Sequence, residues 1–189
     1  MDIGSDVDAA LRAMPRTGFL PVNLRSRAGD DKPLPIGEGQ TSSQPRTVAA
    51  MLRLLDVRSG HRVLDVGAGS GWTTALLAHL VGPTGSVLGV ELSTALARWG
   101  AANVVATRQP WARMRPATAG VLGAPGDAPF DRILVSAEAD AMPQELVDQL
   151  ADDGVLVVPV AGVMRRVVRS AAGEVVTTKH GQYRFVPLR

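Results

Sequence analysis

The chain has no cysteine. That excludes structural disulfides, thiolate metal sites and cysteine nucleophiles together. It lacks any apolar run near the roughly 18 residues that a membrane span requires. It also lacks a charge excess, with 20 Lys and Arg against 18 Asp and Glu and a net charge of +2. So small a surplus does not argue for a nucleic-acid surface. The basic residues are nearly all Arg, which hardly titrates, so the isoelectric point is basic on a surplus of two charges. His61, His79 and His180 fall in different expected elements without metal-ligand spacing, so no metal site is expected. The acidic start, Met1–Asp6, has the wrong charge for a secretory n-region. The expectation is a soluble, cytoplasmic, monomeric protein that engages neither membrane nor nucleic acid.

With 189 residues, 46% hydrophobic and 20% charged, the chain is one domain's worth and can bury roughly two-thirds of its unfolded surface. Its texture changes near residue 45. Before that point Pro15, Pro21, Pro33, Pro35 and Pro45 break up regular structure, leaving one short helix around Val7–Met14. A loop region of that length is uncommon unless it binds something or is disordered, so residues 1–45 are set apart as a loop-rich segment and 46–189 as the domain proper. Arg46–Leu55 has a helical apolar stripe, Val48, Met51, Leu52 and Leu55. Strands are expected at 62–66, 86–91, 131–135 and 155–160, and helices at 72–81, 94–102 and 143–150. Ser93 is placed to cap the helix at 94. Val104-Val105 is read as the start of a further strand, and Asp152-Asp153-Gly154 as a helix stop. The tail suggests three antiparallel strands, 163–170, 175–178 and 183–188, with Arg165, Arg166 and Arg169 as solvated charges on the first. Apolar strands alternating with helices give an α/β fold: a doubly wound, mostly parallel, Rossmann-like sheet with helices on both faces and an antiparallel C-terminal addition.

The most informative segment is Val63-Leu64-Asp65-Val66-Gly67-Ala68-Gly69-Ser70-Gly71. It reads as a strand, a tight turn and a helix start. No Gly-Lys-Ser/Thr follows, so it is not a P-loop, and its G-x-G-x-G spacing is one residue short of the dinucleotide fingerprint. With an acid two residues before the first glycine, it resembles the loop of S-adenosylmethionine-dependent methyltransferases. Asp65 would repel a pyrophosphate but suits a cationic ligand. Glu91 closes the second strand, twenty-four residues after Gly67, where a carboxylate can accept from both ribose hydroxyls. Trp72 is expected to pack beside the loop.

Further segments resemble one family of these enzymes. Lys32-Pro33-Leu34-Pro35-Ile36-Gly37-Glu38-Gly39-Gln40-Thr41-Ser42-Ser43-Gln44-Pro45 is similar to the P-L-P-I-G-x-G-Q-T-I-S-Q-P signature of protein-L-isoaspartate O-methyltransferases. Ala128–Val135 resembles that family's A-P-Y/F-D-R-I strand, Leu150–Val160 its L-x-x-G-G-x-L-V-x-P-V segment, and Arg184–Leu188 its R-F-V-P-L ending. Met14-Pro15-Arg16 and Phe19-Leu20-Pro21 are similar to its V-P-R-x-x-F-V-P opening.

The resemblance implies methyl transfer from S-adenosyl-L-methionine to the α-carboxylate of isoaspartyl residues in damaged proteins or peptides. The ester then cyclises to a succinimide, which opens partly to normal aspartate. It implies that residues 1–45 are a substrate-binding segment, with a catalytic Ser43 that holds the substrate carboxylate and Gln40 and Thr41 beside it. It implies a cofactor site of Asp65, Gly67, Ala68, Gly69, Ser70, Gly71, Glu91, Leu92 and Ala119. The residues themselves also allow Ser42-Ser43 to be a plain helix cap. Four positions depart from the family pattern: Gly29 where a tyrosine is usual, Ser42 for isoleucine, Ala119 for an aspartate that reaches adenine, and Glu138 for alanine. These keep two alternatives open: a divergent relative that methylates a dedicated peptide or small molecule, and a cofactor-binding module without catalysis.

Overall fold

The computed structural model describes residues 3–188; residues 1, 2 and 189, at the limits of the two expected segments, lie outside it. Four short apolar runs build the centre of the sheet: β3 (Arg62–Val66), β4 (Ser86–Glu91), β6 (Phe130–Val135) and β7 (Leu150–Val160). With β5 (Ala112–Pro116), β8 (Val163–Arg169) and β9 (Val175–Gln182) they order as β5-β4-β3-β6-β7-β8-β9. β5 to β7 are parallel, and β8 and β9 run antiparallel. The chain winds outward from β3 through β4 to β5, then returns to β6 on the other side of β3. The reversal lies between β3 and β6, where ligands of open α/β sheets bind.

Alternate side chains of each strand point to opposite faces. On one face Val63, Val87, Leu134 and Val157 pack against α1 (Ile3–Ala13), α2 (Pro45–Leu55) and α3 (Trp72–Val81). α4 (Thr94–Ala106) joins them through buried Val104. On the other face Leu64, Leu88, Ile133 and Leu156 pack against α5 (Gln144–Val147) and the chain around Ala124 and Leu150. Helices thus cover both faces, unequally, since α5 is a single turn. Among the described residues no helix is long and apolar enough to cross a membrane.

Several boundaries differ from the sequence reading. α4 continues through Val104 and Val105 to Ala106, so no strand begins there. Leu96, Ala97, Gly100 and Val104 form its buried stripe, and packing overrides the strand preference of two valines. Ser93 does cap this helix, its hydroxyl accepting from the Leu96 N–H at 3.3 Å. The missing strand is β5, whose Arg113 and Arg115 face solvent, as charges on an edge strand do. The expected helix 143–150 shrinks because Leu150 already pairs with Phe130. Asp152-Asp153-Gly154 lies inside β7, where Asp153 takes a φ of 57° and the register shifts. β9 runs on to Gln182, and 183–188 form no third strand. Instead this tail crosses the end of β6, with the Glu138 N–H donating to Val186 O and the Leu188 N–H to Glu138 O. The β8 arginines are half-buried rather than solvated, and Arg166 donates to Leu54 O at 2.8 Å.

Gly71 shows why the start of α3 tolerates no side chain. It has a φ of 87°, and a Cβ would lie 2.9 Å from Gly100 O, Met114 Sδ and Val104 Cγ2. Gly71→Ala is expected to cost about 2–4 kcal/mol, combining left-handed strain with overpacking. Gly126→Ala, where a Cβ meets nothing within 4 Å, should change stability by less than about 0.5 kcal/mol. Urea unfolding of the two variants checks the contrast.

Candidate active site

The N-terminal segment is more ordered than its prolines suggest. β1 (Leu34–Gly37) and β2 (Gln40–Ser42) form a hairpin. Its turn, Gly37-Glu38-Gly39, passes through φ values of 94°, 53° and 70°, which two glycines make accessible. Leu20, Leu34 and Ile36 anchor the segment on Leu96 of α4. Arg16, 4% exposed, ties it together. Its Nε donates to Ser42 Oγ at 3.0 Å, its Nη1 to Asp30 O, and its Nη2 to Lys32 O and Ser42 O. The same guanidinium lies 5.5 Å from the ring centroid of Trp72. Trp72, buried beside the glycine loop as expected, donates to Met14 O at 2.9 Å.

The hairpin is thereby held against the glycine loop, and three neighbouring cavities share lining residues there. The first, about 510 Å³, opens at the carboxyl ends of β3, β4 and β6 and is lined by Gly67, Glu91, Leu92, Ala119 and Gln40. The second, about 690 Å³, lies beyond the hairpin, with Thr41, Ser43, Arg46, Tyr183, Arg184 and Phe185 on its walls. A narrow passage of about 30 Å³ shares Gly67 and Ser136 with the first and Thr41, Ser43 and Ser136 with the second; Thr41, Ser42 and Ser43 line it from the hairpin side and Gly67, Ala68, Gly69 and Ser70 from the glycine loop.

The expected site residues therefore separate. Thr41 and Ser43 stand between the passage and the second cavity. Gln40, expected beside the substrate, lines the first cavity instead, because adjacent residues of a strand point apart. Glu91, Leu92 and Ala119 also line the first cavity. Glu91 accepts from the Gly69 N–H through Oε2 and the Ser93 N–H through Oε1, both at 2.9 Å. Gly71 lines none of these three; it packs against α4 and β5. Asp65 reaches none either. It is fully buried behind the loop, where the Thr73 and Thr74 hydroxyls donate to its Oδ2 at 2.7 Å. Its Oδ1 has no partner among the described residues. Burial pushes its carboxyl up to about 6, against the two threonines and with help from the Glu91 charge.

Ser43 is not a helix cap. The residue before α2 is Gln44, with no side-chain cap. Asp31 serves that end, accepting from the Arg46 N–H at 3.0 Å and the Arg46 Nε at 2.9 Å.

A family model described as protein-L-isoaspartate(D-aspartate) O-methyltransferase matches residues 3–189. The chain belongs to this family. A protein-L-isoaspartate O-methyltransferase of Methanopyrus kandleri is 43% identical over 186 residues, spanning 96% of this chain and 82% of that one. Another, from Methanocella arvoryzae, is 42% identical and spans 93% and 94%. A beta-aspartate methyltransferase (PCMT) structure from Plasmodium falciparum, in complex with S-adenosyl-L-homocysteine, superposes with a TM-score of 0.86. It is 25% identical, over 97% of this chain and 90% of that one.

Within the protein-L-isoaspartate O-methyltransferase family, the four departures now have locations. Ser42 gives its hydroxyl to the Arg16 latch. At Gly29 a Cβ would meet nothing within 4 Å, so the position stands open. Ala119 lines the first cavity, and Asp127, which does not line it, is paired with Arg113 and Arg115. Glu138 accepts weakly from the Phe185 N–H at 3.4 Å and so steadies the tail that walls the second cavity. Ser136 and Val186, which line more than one cavity, were not singled out by the sequence.

Two measurements follow. Glu91→Ala should weaken S-adenosylmethionine binding by about 1–3 kcal/mol, the cost of unpairing hydrogen bonds to a charged group, as read by isothermal titration. Asp65 should make stability depend on pH. Its folded pKa lies above the unfolded value of 3.8. Its contribution is therefore complete below pH 3.8 and is lost as pH rises through about 6. Between about pH 4 and 7, the cofactor-free protein should lose about 2 kcal/mol relative to Asp65→Asn. Urea unfolding of both proteins across that range checks it.

Proposed function

We propose that this protein transfers a methyl group from S-adenosylmethionine to the α-carboxylate of L-isoaspartyl residues in damaged proteins or peptides. One observation carries the reading: Ser43, from the hairpin of the family signature, and Gly67 and Gly69, from the cofactor loop, line the same narrow passage. A group held at Ser43 thus meets whatever the first cavity presents.

The residues fit the cofactor. A cavity of about 510 Å³ is within the usual range for a small-molecule site. Glu91, 7% exposed, offers acceptor capacity to two adjacent hydroxyls, and Val90 and Leu92 give apolar walls. At Gly69 a Cβ would come 3.1 Å from Ile36 Cδ1, so the loop and hairpin approach as closely as glycine permits. When bound, S-adenosylmethionine supplies a methyl group on a positively charged sulfur. A carboxylate accepts it without a general base, because it is already ionised at neutral pH. One C–S bond breaks, one O–C bond forms, and no proton moves.

The work left to the protein is positioning. Ser43 donates to the carboxylate, Thr41 stands beside it, and residues 1–45 supply the substrate-binding hairpin. Residues 46–189 supply the cofactor loop and Glu91, and also the far wall of the second cavity through Tyr183 and Phe185. The second cavity, about 690 Å³, has room for residues flanking the modified one. Isoaspartyl proteins or peptides are then the partners, and the proposal includes a monomer in the cytoplasm. Radiolabelled methyl transfer to an isoaspartyl peptide, with its normal aspartyl twin as control, tests the reading. Equal labelling of both peptides, or of neither, rejects it.

Ser43→Ala should lower kcat/KM about ten- to a hundred-and-fifty-fold, the loss of one hydrogen bond to a charged group. Cofactor affinity should stay within about a factor of two. Since Ser43 caps no helix, stability should change by less than about 0.5 kcal/mol. Steady-state kinetics, titration calorimetry and thermal unfolding give the three readings.

A further inference from the structure

Ser136 is the first residue beyond β6, at the point where the winding of the sheet reverses. Its N–H donates to Val66 O at 2.9 Å, so its backbone is fixed to the neighbouring strand whatever its side chain. It is the one described residue that lines the cofactor cavity, the passage and the substrate cavity together. No described group hydrogen-bonds its hydroxyl.

Of the other hydroxyls of the passage, Thr73 donates to Asp65 and Ser42 accepts from Arg16, while Ser70 lines the passage but neither larger cavity. Thr41 and Ser43 line the passage and the second cavity, and both come from the hairpin side. Ser136 comes from the sheet, beside Gly67, which has no side chain to offer. A carboxylate has two oxygens. One donor leaves it free to turn about a single hydrogen bond, whereas donors from two different walls fix both oxygens and hence the direction of attack.

We infer that the Ser136 hydroxyl is a second donor to the acceptor carboxylate, holding one oxygen while Ser43 holds the other. The inference rests on the carboxyl methylation proposed above and adds a substrate-binding residue to it. The carboxylate loses its charge as the ester forms. Hydrogen bonds to it therefore favour the bound substrate at least as much as the transition state, and their loss raises KM at least as much as it lowers kcat.

Ser136→Ala and Ser136→Thr, assayed as full-length proteins on the isoaspartyl peptide and its aspartyl twin, test this. Ser136→Ala should lose about ten- to thirtyfold in kcat/KM, with the larger share in KM. Its S-adenosylmethionine affinity by titration calorimetry should stay within about twofold. Ser136→Thr keeps the hydroxyl and should stay within about threefold of the parent. Unchanged kinetics in Ser136→Ala overturn the inference. So does a matching loss of cofactor affinity, which would assign the hydroxyl to the cofactor. A parent protein that fails to label the isoaspartyl peptide rejects the functional reading and this inference with it. An active parent with an unaffected Ser136→Ala removes this inference alone.

Discussion

One buried guanidinium holds the two sides of this protein in register. Arg16 donates to Ser42 Oγ and to the carbonyls of Asp30, Lys32 and Ser42, and it lies over Trp72 at the start of α3. Its planar fork can serve several acceptors at once, which an ammonium on a flexible stem does less well. Through it the hairpin that carries Thr41 and Ser43 is referred to the helix that follows the glycine loop. The passage between the cavities exists because these two short elements, far apart in sequence, share one anchor.

The second constraint is room. Where α3 meets α4 and β5, Gly71 and Gly100 are crowded by Met114 and by backbone. On the hairpin side, Gly69 approaches Ile36. The loop is thus tightly packed on both flanks, and its open side is the one toward the cavities. Asp65 belongs to the packed flank. Its two threonine donors and its buried, partly unpartnered carboxyl support the loop from behind.

The chemistry explains the absence of a conspicuous catalytic base. Methylation of a carboxylate moves no proton, so a site whose walls offer hydroxyls and backbone groups suffices. The charged groups nearby are largely occupied with structure. Asp31 holds the start of α2 through Arg46, and Asp127 pairs Arg113 and Arg115. Glu138 accepts from the C-terminal tail, which supplies Tyr183 and Phe185 to the second cavity.

Much of this was legible in the chain before folding. The apolar runs of β3, β4, β6 and β7 and the stripe of α2 follow local periodicity, which burial on one or two faces imposes. The glycine loop, Glu91 and the 32–45 signature carried the cofactor and family readings. What failed was whatever depends on neighbours. β5 was hidden because an edge strand alternates arginines with small and apolar residues. α5 was overestimated because Leu150 is claimed by Phe130. Val104 and Val105 were misread because the stripe they complete is set by what α4 packs on. The sequence could name Asp65, Gly71 and Gln40 as site residues but not where they face. Facing is decided by which surface of a turn the rest of the fold leaves open. Ser136 is the clearest case: an ordinary serine whose position at the joint of three cavities arises only when β3 and β6 lie side by side.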